Sequence, residues 1–351
     1  GQTETAFAQE VSPEEAAAIR EYRVAIAFQK KKLFAQAAVR WTDFLRKHSK
    51  DKRIPSAHLN LGVCQFGDRK FPEAAAVFRD VLAKYGGFEQ RDHAQFNLGM
   101  CHYNTSLALQ DTADAAKSEA EQKTAQAAAA AEYRKAAVEF DKLIKGFAQS
   151  AQLVDALFYQ AECLSLAGDL TAAVPVYDRI VKQHAQAPQA VDAYYGLGIA
   201  YAELAQHENA AKTFDEFVKK FPKDERLDEC RLRHGAALTG LERHADAEKL
   251  YQQVQSVATS PYAEYALYQL ALCVQAQDRL PQAADQFESL PKRFPKGSYV
   301  GAALLSGGKC RFRAEQFPQA AADFTQVIAR KDAGADEAAW LLGRSLIRQA
   351  K

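Results

Sequence analysis

The polarity pattern of the chain repeats itself. An aromatic residue follows a pair of small residues, in the form alanine-small-x-x-aromatic, at Trp41, Phe78, Phe140, Tyr177, Phe214, Tyr251, Phe287 and Phe324. Their separations are 37, 62, 37, 37, 37, 36 and 37 residues, and 62 exceeds 37 by 25. An alanine stands four positions before each aromatic, from Ala37 to Ala320. Sixteen positions before the aromatic of each regular unit lies a small residue: Ala25, Gly62, Ala161, Gly198, Gly235, Ala271 and Gly308. Gly99 holds that place in the interrupted third unit, and Gly343 opens a ninth.

Each unit predicts two amphipathic helices. The first carries apolar residues at three- and four-residue spacing, as in Tyr194, Leu197, Gly198 and Tyr201, and the second continues with Ala210, Phe214 and Phe217. A small residue is needed where two helices cross closely, because a larger one holds the axes more than about 8–10 Å apart. The aromatic then fills the gap between one pair and the next. Phe221-Pro222-Lys223-Asp224 and Phe294-Pro295-Lys296-Gly297 mark joints where proline stops the second helix. Structure is expected to start at Ser12-Pro13-Glu14-Glu15, with a serine cap and a first-turn proline. No stretch alternates with the period of two that a half-buried strand requires. The pattern predicts an all-α right-handed solenoid of eight helix pairs and a lone terminal helix, Glu337 to Gln349.

At these residues the chain resembles the tetratricopeptide repeat (TPR) family. Leu197-Gly198-Ile199-Ala200-Tyr201 matches the first-helix consensus of leucine-glycine and alanine-tyrosine, and Ala210 with Phe214 matches the second. The resemblance covers residues 13–351, and it implies a TPR superhelix. The period of 37 departs from the usual 34 of the family, and with the Phe-Pro joints it is similar to repeats of bacterial envelope proteins, of the Tol-Pal-associated and outer-membrane-assembly lipoprotein type. This implies a periplasmic or envelope location in preference to the cytoplasm. Ala6-Phe7-Ala8 resembles the end of a secretory signal peptide, although an alanine-rich chain also produces that pattern by chance.

The expected organisation is a disordered tail over 1–12 and a single solenoid over 13–351. The extra 25 residues, at about 109–133, break the array in the third unit. They are rich in alanine, glutamate, glutamine and lysine and lack proline and glycine, which favours helix. Because 25 residues come close to seven helical turns, a lengthened hairpin would return to the same face. The extension is expected mostly in its second helix, and a mobile polar loop is the other reading. With Met100 the only methionine, the chain is expected to be a processed or excised piece.

Composition then excludes several functions. Lysine and arginine number 45 against 44 acidic residues, a net charge of +1, which argues against a nucleic-acid or membrane-surface footprint. No apolar run is long enough to span a bilayer. Cys64, Cys101, Cys163, Cys273 and Cys310 all sit two residues after the crossing position, where other units carry Ala27, Ala200 and Ala237, so they are expected to be buried, reduced packing residues. Cys230 falls outside that register and is the one candidate for a reactive thiol. No pair has the spacing of a zinc site, and neither Gly196-Leu197-Gly198 nor Gly307-Gly308-Lys309 follows a strand as a phosphate loop would. His207 and His244 share a turn position rather than a catalytic one. No enzyme, cofactor or metal is expected.

If the function is not chemistry, it lies on a surface. Stacked pairs curl into a superhelix whose concave wall is lined by first helices, and the family resemblance places the residue three before the crossing position on that groove. The series is Tyr22, Leu59, Phe96, Phe158, Tyr195, Leu232, Tyr268, Leu305 and Trp340. Its aromatic members, Tyr22, Phe96, Phe158, Tyr195, Tyr268 and Trp340, are the candidate partner-binding residues, flanked by Phe66, Met100, Tyr103, Tyr265 and Phe312. The alternative for the whole series is packing between consecutive first helices. Asp155, Asp192, Glu203 and Glu229 against Lys309, Arg313, Arg344 and Arg348 would orient a ligand of opposite polarity, or form a solvated pattern. The expected function is a protein-interaction scaffold that holds a peptide or helical segment, with self-association through the C-terminal helix as a further contact. A self-assembling or envelope-structural module is one alternative. A regulatory part of a larger enzyme is another.

Overall fold

The computed structural model describes residues 12–257, 259–331 and 333–350. The expected tail, with Ala6-Phe7-Ala8, lies outside them apart from Ser12. The described residues form seventeen helices and no strand. The first eight are α1 (Pro13–Lys30), α2 (Phe34–Lys47), α3 (Ile54–Gly67), α4 (Phe71–Lys84), α5 (Arg91–Asp114), α6 (Glu119–Gly146), α7 (Leu153–Leu166) and α8 (Leu170–Gln183). There follow α9 (Ala190–Glu203), α10 (His207–Lys220), α11 (Leu227–Gly240), α12 (His244–Ser256), α13 (Ala263–Ala276) and α14 (Leu280–Arg293). The last are α15 (Val300–Arg313), α16 (Phe317–Arg330) and α17 (Ala335–Gln349). Odd-numbered helices are the first of each pair. The chain divides into two compact units, one ending at Ala190 and the other beginning at Val191, so that α1–α8 belong to one, and α9, apart from its first residue, belongs with α10–α17 to the other.

In both units the crossing register is what packs the hairpin. A Cβ placed on Gly62 would lie 2.6 Å from the ring of Phe78, and one on Gly99 would lie 2.7 Å from Phe140. The second unit repeats this with Gly198 on Phe214, Gly235 on Tyr251 and Gly308 on Phe324, at 2.6–2.8 Å. All eight register aromatics are at most 1% exposed. Three of them, Trp41, Tyr177 and Tyr251, carry a polar atom inside; Trp41 Nε1 donates to Gln29 at 3.0 Å, and the Tyr177 hydroxyl donates to Glu162 at 2.5 Å. An indole or phenol is tolerated here because its donor finds a first-helix acceptor.

The turn inside each regular hairpin also follows the period, through a feature that the residue types did not announce. Lys32, Arg69, Ala205, Glu242, Asp278 and Glu315 take left-handed backbone angles, with φ of 55–61°. Only Gly168 fills this place with glycine. In each case the next amide bonds five residues back, as from Gln206 N to Tyr201 O at 2.8 Å, and closes a Schellman motif. A left-handed non-glycine residue costs about 1–2 kcal/mol, which the packed hairpin offsets.

The third pair does not turn there. At the equivalent position Ser106 stays helical, is fully buried and donates to His102 O. α5 reaches 24 residues and α6 reaches 28, where most helices have 14, so both helices lengthen and the second takes the larger share of the added residues, as expected. Ser118 caps α6 by accepting the Glu121 amide, and the Glu121 carboxylate reaches back one residue beyond the cap to accept the Lys117 amide, which fixes the turn. Buried Ala113 and Ala129 line the inside of the added length. The register survives the interruption. Phe66 packs on Phe71 and Phe312 on Phe317 across their own turns, and Tyr103 meets Tyr133 in the same edge-to-face manner at 5.9 Å.

Candidate partner-binding face

In four repeats the residue three before the crossing position lies against the residue that precedes the next first helix. Arg53 precedes α3 and sets its guanidinium 5.6 Å from the Tyr22 ring. Arg226 precedes α11 and lies 5.1 Å from the Tyr195 ring. Tyr299 precedes α15 and stacks on Tyr268 at 5.2 Å. Gly334 precedes α17, and a Cβ there would stand 2.8 Å from Leu305. Residues of this series also touch the second helix of their own pair. Tyr22 packs on Trp41 and Phe44, Phe96 on Phe140, Tyr195 on Phe217 and Tyr268 on Phe287, with centroids 4.9–6.5 Å apart.

The six candidates are therefore not equivalent. Tyr22, Phe96, Phe158, Tyr195 and Tyr268 are half-buried, each with part of its ring on the first-helix face and part in the repeat junction. Phe158 packs edge-on against its neighbour Tyr159, which also meets Phe96 and Tyr103. Trp340 alone is open, at 61% exposed, with the Arg344 guanidinium 4.7 Å from its ring. The sequence pattern located the row. It did not show the covering residues, because these come from the joints, where the period is least regular in residue type.

Electrostatics tie the row together within the second unit. The Tyr195 hydroxyl donates to Glu229 at 2.8 Å, Tyr262 donates to the same carboxylate at 3.3 Å, and Arg233 closes it at 2.7 Å. Burial pushes the Tyr195 phenol up to about 12, reinforced by the Glu229 charge. Burial opposes the ionised form of Glu229, yet the bonds from Arg233, Tyr195 and Tyr262 hold its carboxyl below the ordinary range. Arg226 bridges Asp224 and Asp192, and its bond to Asp224 depresses that carboxyl. In the first unit Arg53 draws Asp51 down to about 2 in the same D-x-R arrangement.

The groove charges singled out from the sequence are thus largely engaged in the protein itself. Asp192 takes Arg226, Glu229 takes Arg233, Lys309 takes Glu337 and Arg313 takes Asp278, while Asp155 accepts from Gln189. Apart from Glu229–Arg233, which lies within α11, these contacts join consecutive repeats, which accounts for their position on first helices.

All six cysteines are free and buried. Cys230 is corrected by this. Although outside the register, it is fully buried, and desolvation pushes its thiol up to about 12, as it does at Cys101, with Cys64 and Cys310 up to about 11. Thiolate is the reactive form, so native protein at pH 7.5 should react with a maleimide far more slowly than unfolded protein, Cys230 included. Prompt modification of any one of the six would contradict this. Among the described residues no group of three or more histidine, cysteine, aspartate or glutamate side chains is placed to hold a metal, and no helix is long and apolar enough to cross a membrane.

Two family models match, both described as tetratricopeptide repeat. One covers residues 22–88, 127–188 and 167–225, and the other covers 265–297, together more than half of the chain. They match the repeat as such; the envelope subtype suggested by the 37-residue period finds no support in these comparisons. No curated protein matches the chain. Among solved structures, the C-terminal part of a TPR repeat-containing protein from Cytophaga hutchinsonii is 15% identical, with a TM-score of 0.55, over 80% of this chain and 98% of that one. A tetratricopeptide repeat protein from Parabacteroides merdae is 14% identical, with a TM-score of 0.44, over 83% and 98%. YrrB, described as a TPR protein with an unusual peptide-binding site, is 21% identical, with a TM-score of 0.43, over 54% and 91%.

Proposed function

Since the chain belongs to the tetratricopeptide repeat family, we propose that it is a non-enzymatic interaction scaffold holding a peptide or helical segment against its first helices, the groove of the family. The observation that carries this is the contrast within one register. The crossing residues and their aromatics are sealed, whereas Tyr22, Phe96 and Phe158 in the first unit and Tyr195 and Tyr268 in the second recur half-exposed at one register position, and Trp340 is open. Half-exposed tyrosines offer area with few rotors and a polar edge, which suits a segment laid across them. Tyr268 is the strongest single contact, because its hydroxyl is not committed to a carboxylate as that of Tyr195 is.

A photo-crosslinking residue at Phe96 or Tyr268 should capture the partner. The same residue at Val39 or Val138, which are exposed on second helices, should not. Tyr268→Ala is expected to weaken binding by about 2 kcal/mol or more if the ring is a hot spot. Adducts from the valine positions only, or an unchanged affinity with a lowered unfolding midpoint, would leave these rings as junction packing and dismiss the groove.

A further inference from the structure

α5 carries its first-helix face further than its neighbours carry theirs. Leu107 stands eight residues after Gly99, where the pairs on either side have already turned: the same position is Lys70, the N-cap of α4, and Asp169, the N-cap of α8. Because α5 runs for 24 residues against 14 in α3 and α7, Phe96, Met100, Tyr103 and Leu107 fall on one stripe, at spacings of four, three and four. The first three are half-buried, and Leu107 is 39% exposed. Tyr159 of α7 joins the stripe from the side, 6.1 Å from the Phe96 ring and 5.3 Å from that of Tyr103. α5 is already packed by α3, α4 and α6 and touched by α7, so its open side is not a seat that another repeat of the array would fill.

The stripe ends in acid. Asp111 and Asp114 are exposed, and Asp114 follows Phe96 by about five helical turns, which returns it to the same face. Between residues 107 and 123 four acids stand against two lysines, and Lys123 is held by Glu119. α7 has no lysine or arginine, and the only one in α5, Arg91, donates to the Leu82 and Gly86 carbonyls. We infer that this stripe docks one basic amphipathic helix of a partner protein, apolar at three- and four-residue spacing over about three turns and bearing lysine or arginine where it meets Asp111 and Asp114. The inference rests on the proposed groove and names its occupant within the first unit. A helix is called for because the stripe runs along the axis of α5, and a second helix laid nearly parallel to it meets side chains at that spacing. An extended segment crossing the repeats would meet only one or two of them. Residues 1–11 have the wrong charge for this place, with Glu4 and Glu10 and no lysine or arginine.

The probe is a fluorescein-labelled synthetic peptide of about 18 residues, the span from Phe96 to Asp114, with leucine at three- and four-residue spacing and lysine and glutamine between. Its anisotropy should rise in a saturable way when the intact protein is added. A shuffled peptide of the same composition, whose leucines no longer share a face, should bind about tenfold more weakly or less, and so should one with glutamate for lysine. Leu107→Lys, and Asp111→Asn combined with Asp114→Asn, should each cost about tenfold with the unfolding midpoint unchanged, since all three side chains are exposed. The inference is overturned by the absence of saturable binding, by equal binding of either control peptide, or by indifference to both variants. Binding that weakens as protein concentration rises would give the stripe to a second copy and overturn it equally. A photo-crosslinker at Phe96 separates this from the groove: adducts there without any dependence on Leu107, Asp111 or Asp114 leave the groove and dismiss the stripe. Failure of the groove itself reads differently, as partner adducts from Val39 and Val138 only.

Discussion

Replacing Arg311 with leucine is expected to lower stability by about 3–5 kcal/mol, the loss usual when one member of a buried ion pair is removed. Arg311 is 8% exposed and Asp323 5%. One guanidinium nitrogen donates to both Asp323 oxygens, at 2.8 and 2.7 Å, and the other meets Glu288. Without the arginine, Asp323 stays buried beside a second carboxylate. Replacing both Arg311 and Asp323 with leucine should recover most of the loss, since no uncompensated charge then remains inside. Chemical denaturation of the two variants measures the difference directly.

The pH dependence carries a sign of its own. Burial already raises the Asp323 carboxyl in the intact protein, against the pull of Arg311. Removing Arg311 raises it further, so the folded variant binds that proton more tightly than the unfolded chain does. Stability linked to this group then increases as pH falls through the raised folded value and levels off below the unfolded one. The deficit of Arg311→Leu should therefore be largest near neutrality and shrink on acidification. A deficit that stays constant from pH 7 to pH 4 would show that lost packing, not the stranded carboxylate, sets the cost.

This ion pair also shows where the sequence was legible and where it was not. The crossing glycines and alanines and their aromatics were readable because one helix contact repeats with one period, and a contact that cannot tolerate a Cβ excludes most residues. The joining of Tyr103 to Tyr133 across the inserted residues follows from the same period. Arg311 and Asp323 escaped notice because neither position excludes polar residues. Three residues after the crossing position the other units carry Phe28, Gln65, His102, Leu164, Tyr201, Leu238 and Val274, and one before the aromatic they carry Arg40, Val77, Glu139, Val176, Thr213, Leu250 and Gln286. Charge or polarity at these places therefore did not by itself mark a buried pair. The left-handed turns gave little signal, since only Gly168 and Asp278 are of types that favour positive φ, and the lysine, arginine, alanine and glutamates at the other positions are not. The candidate face was half legible: its row follows from the period, but the cover given by Arg53, Arg226 and Tyr299 depends on how one repeat sits on the next.

The crossing contact itself sets the other large effect. Phe214→Ala is expected to cost about 3–5 kcal/mol, as for a fully buried aromatic, because the ring is held against Gly198 and no neighbour can collapse onto a bare helix crossing. Gly198→Ala should cost less, about 1–3 kcal/mol, since the added methyl would stand 2.6 Å from the ring and the ring must move. The protein contains the milder geometry already, in Ala271 beneath Phe287, so the crossing can open slightly when both partners suit it. In a repeat array each unit is stabilised mainly by its neighbours, so the loss should not spread evenly. Amide exchange in Phe214→Ala should accelerate most in α9, α10 and the adjoining α11, with α15 and α16 changed far less. Uniform acceleration throughout the second unit would mean that it unfolds as one cooperative block. The crossing aromatics would then set the stability of the whole unit rather than of a single pair.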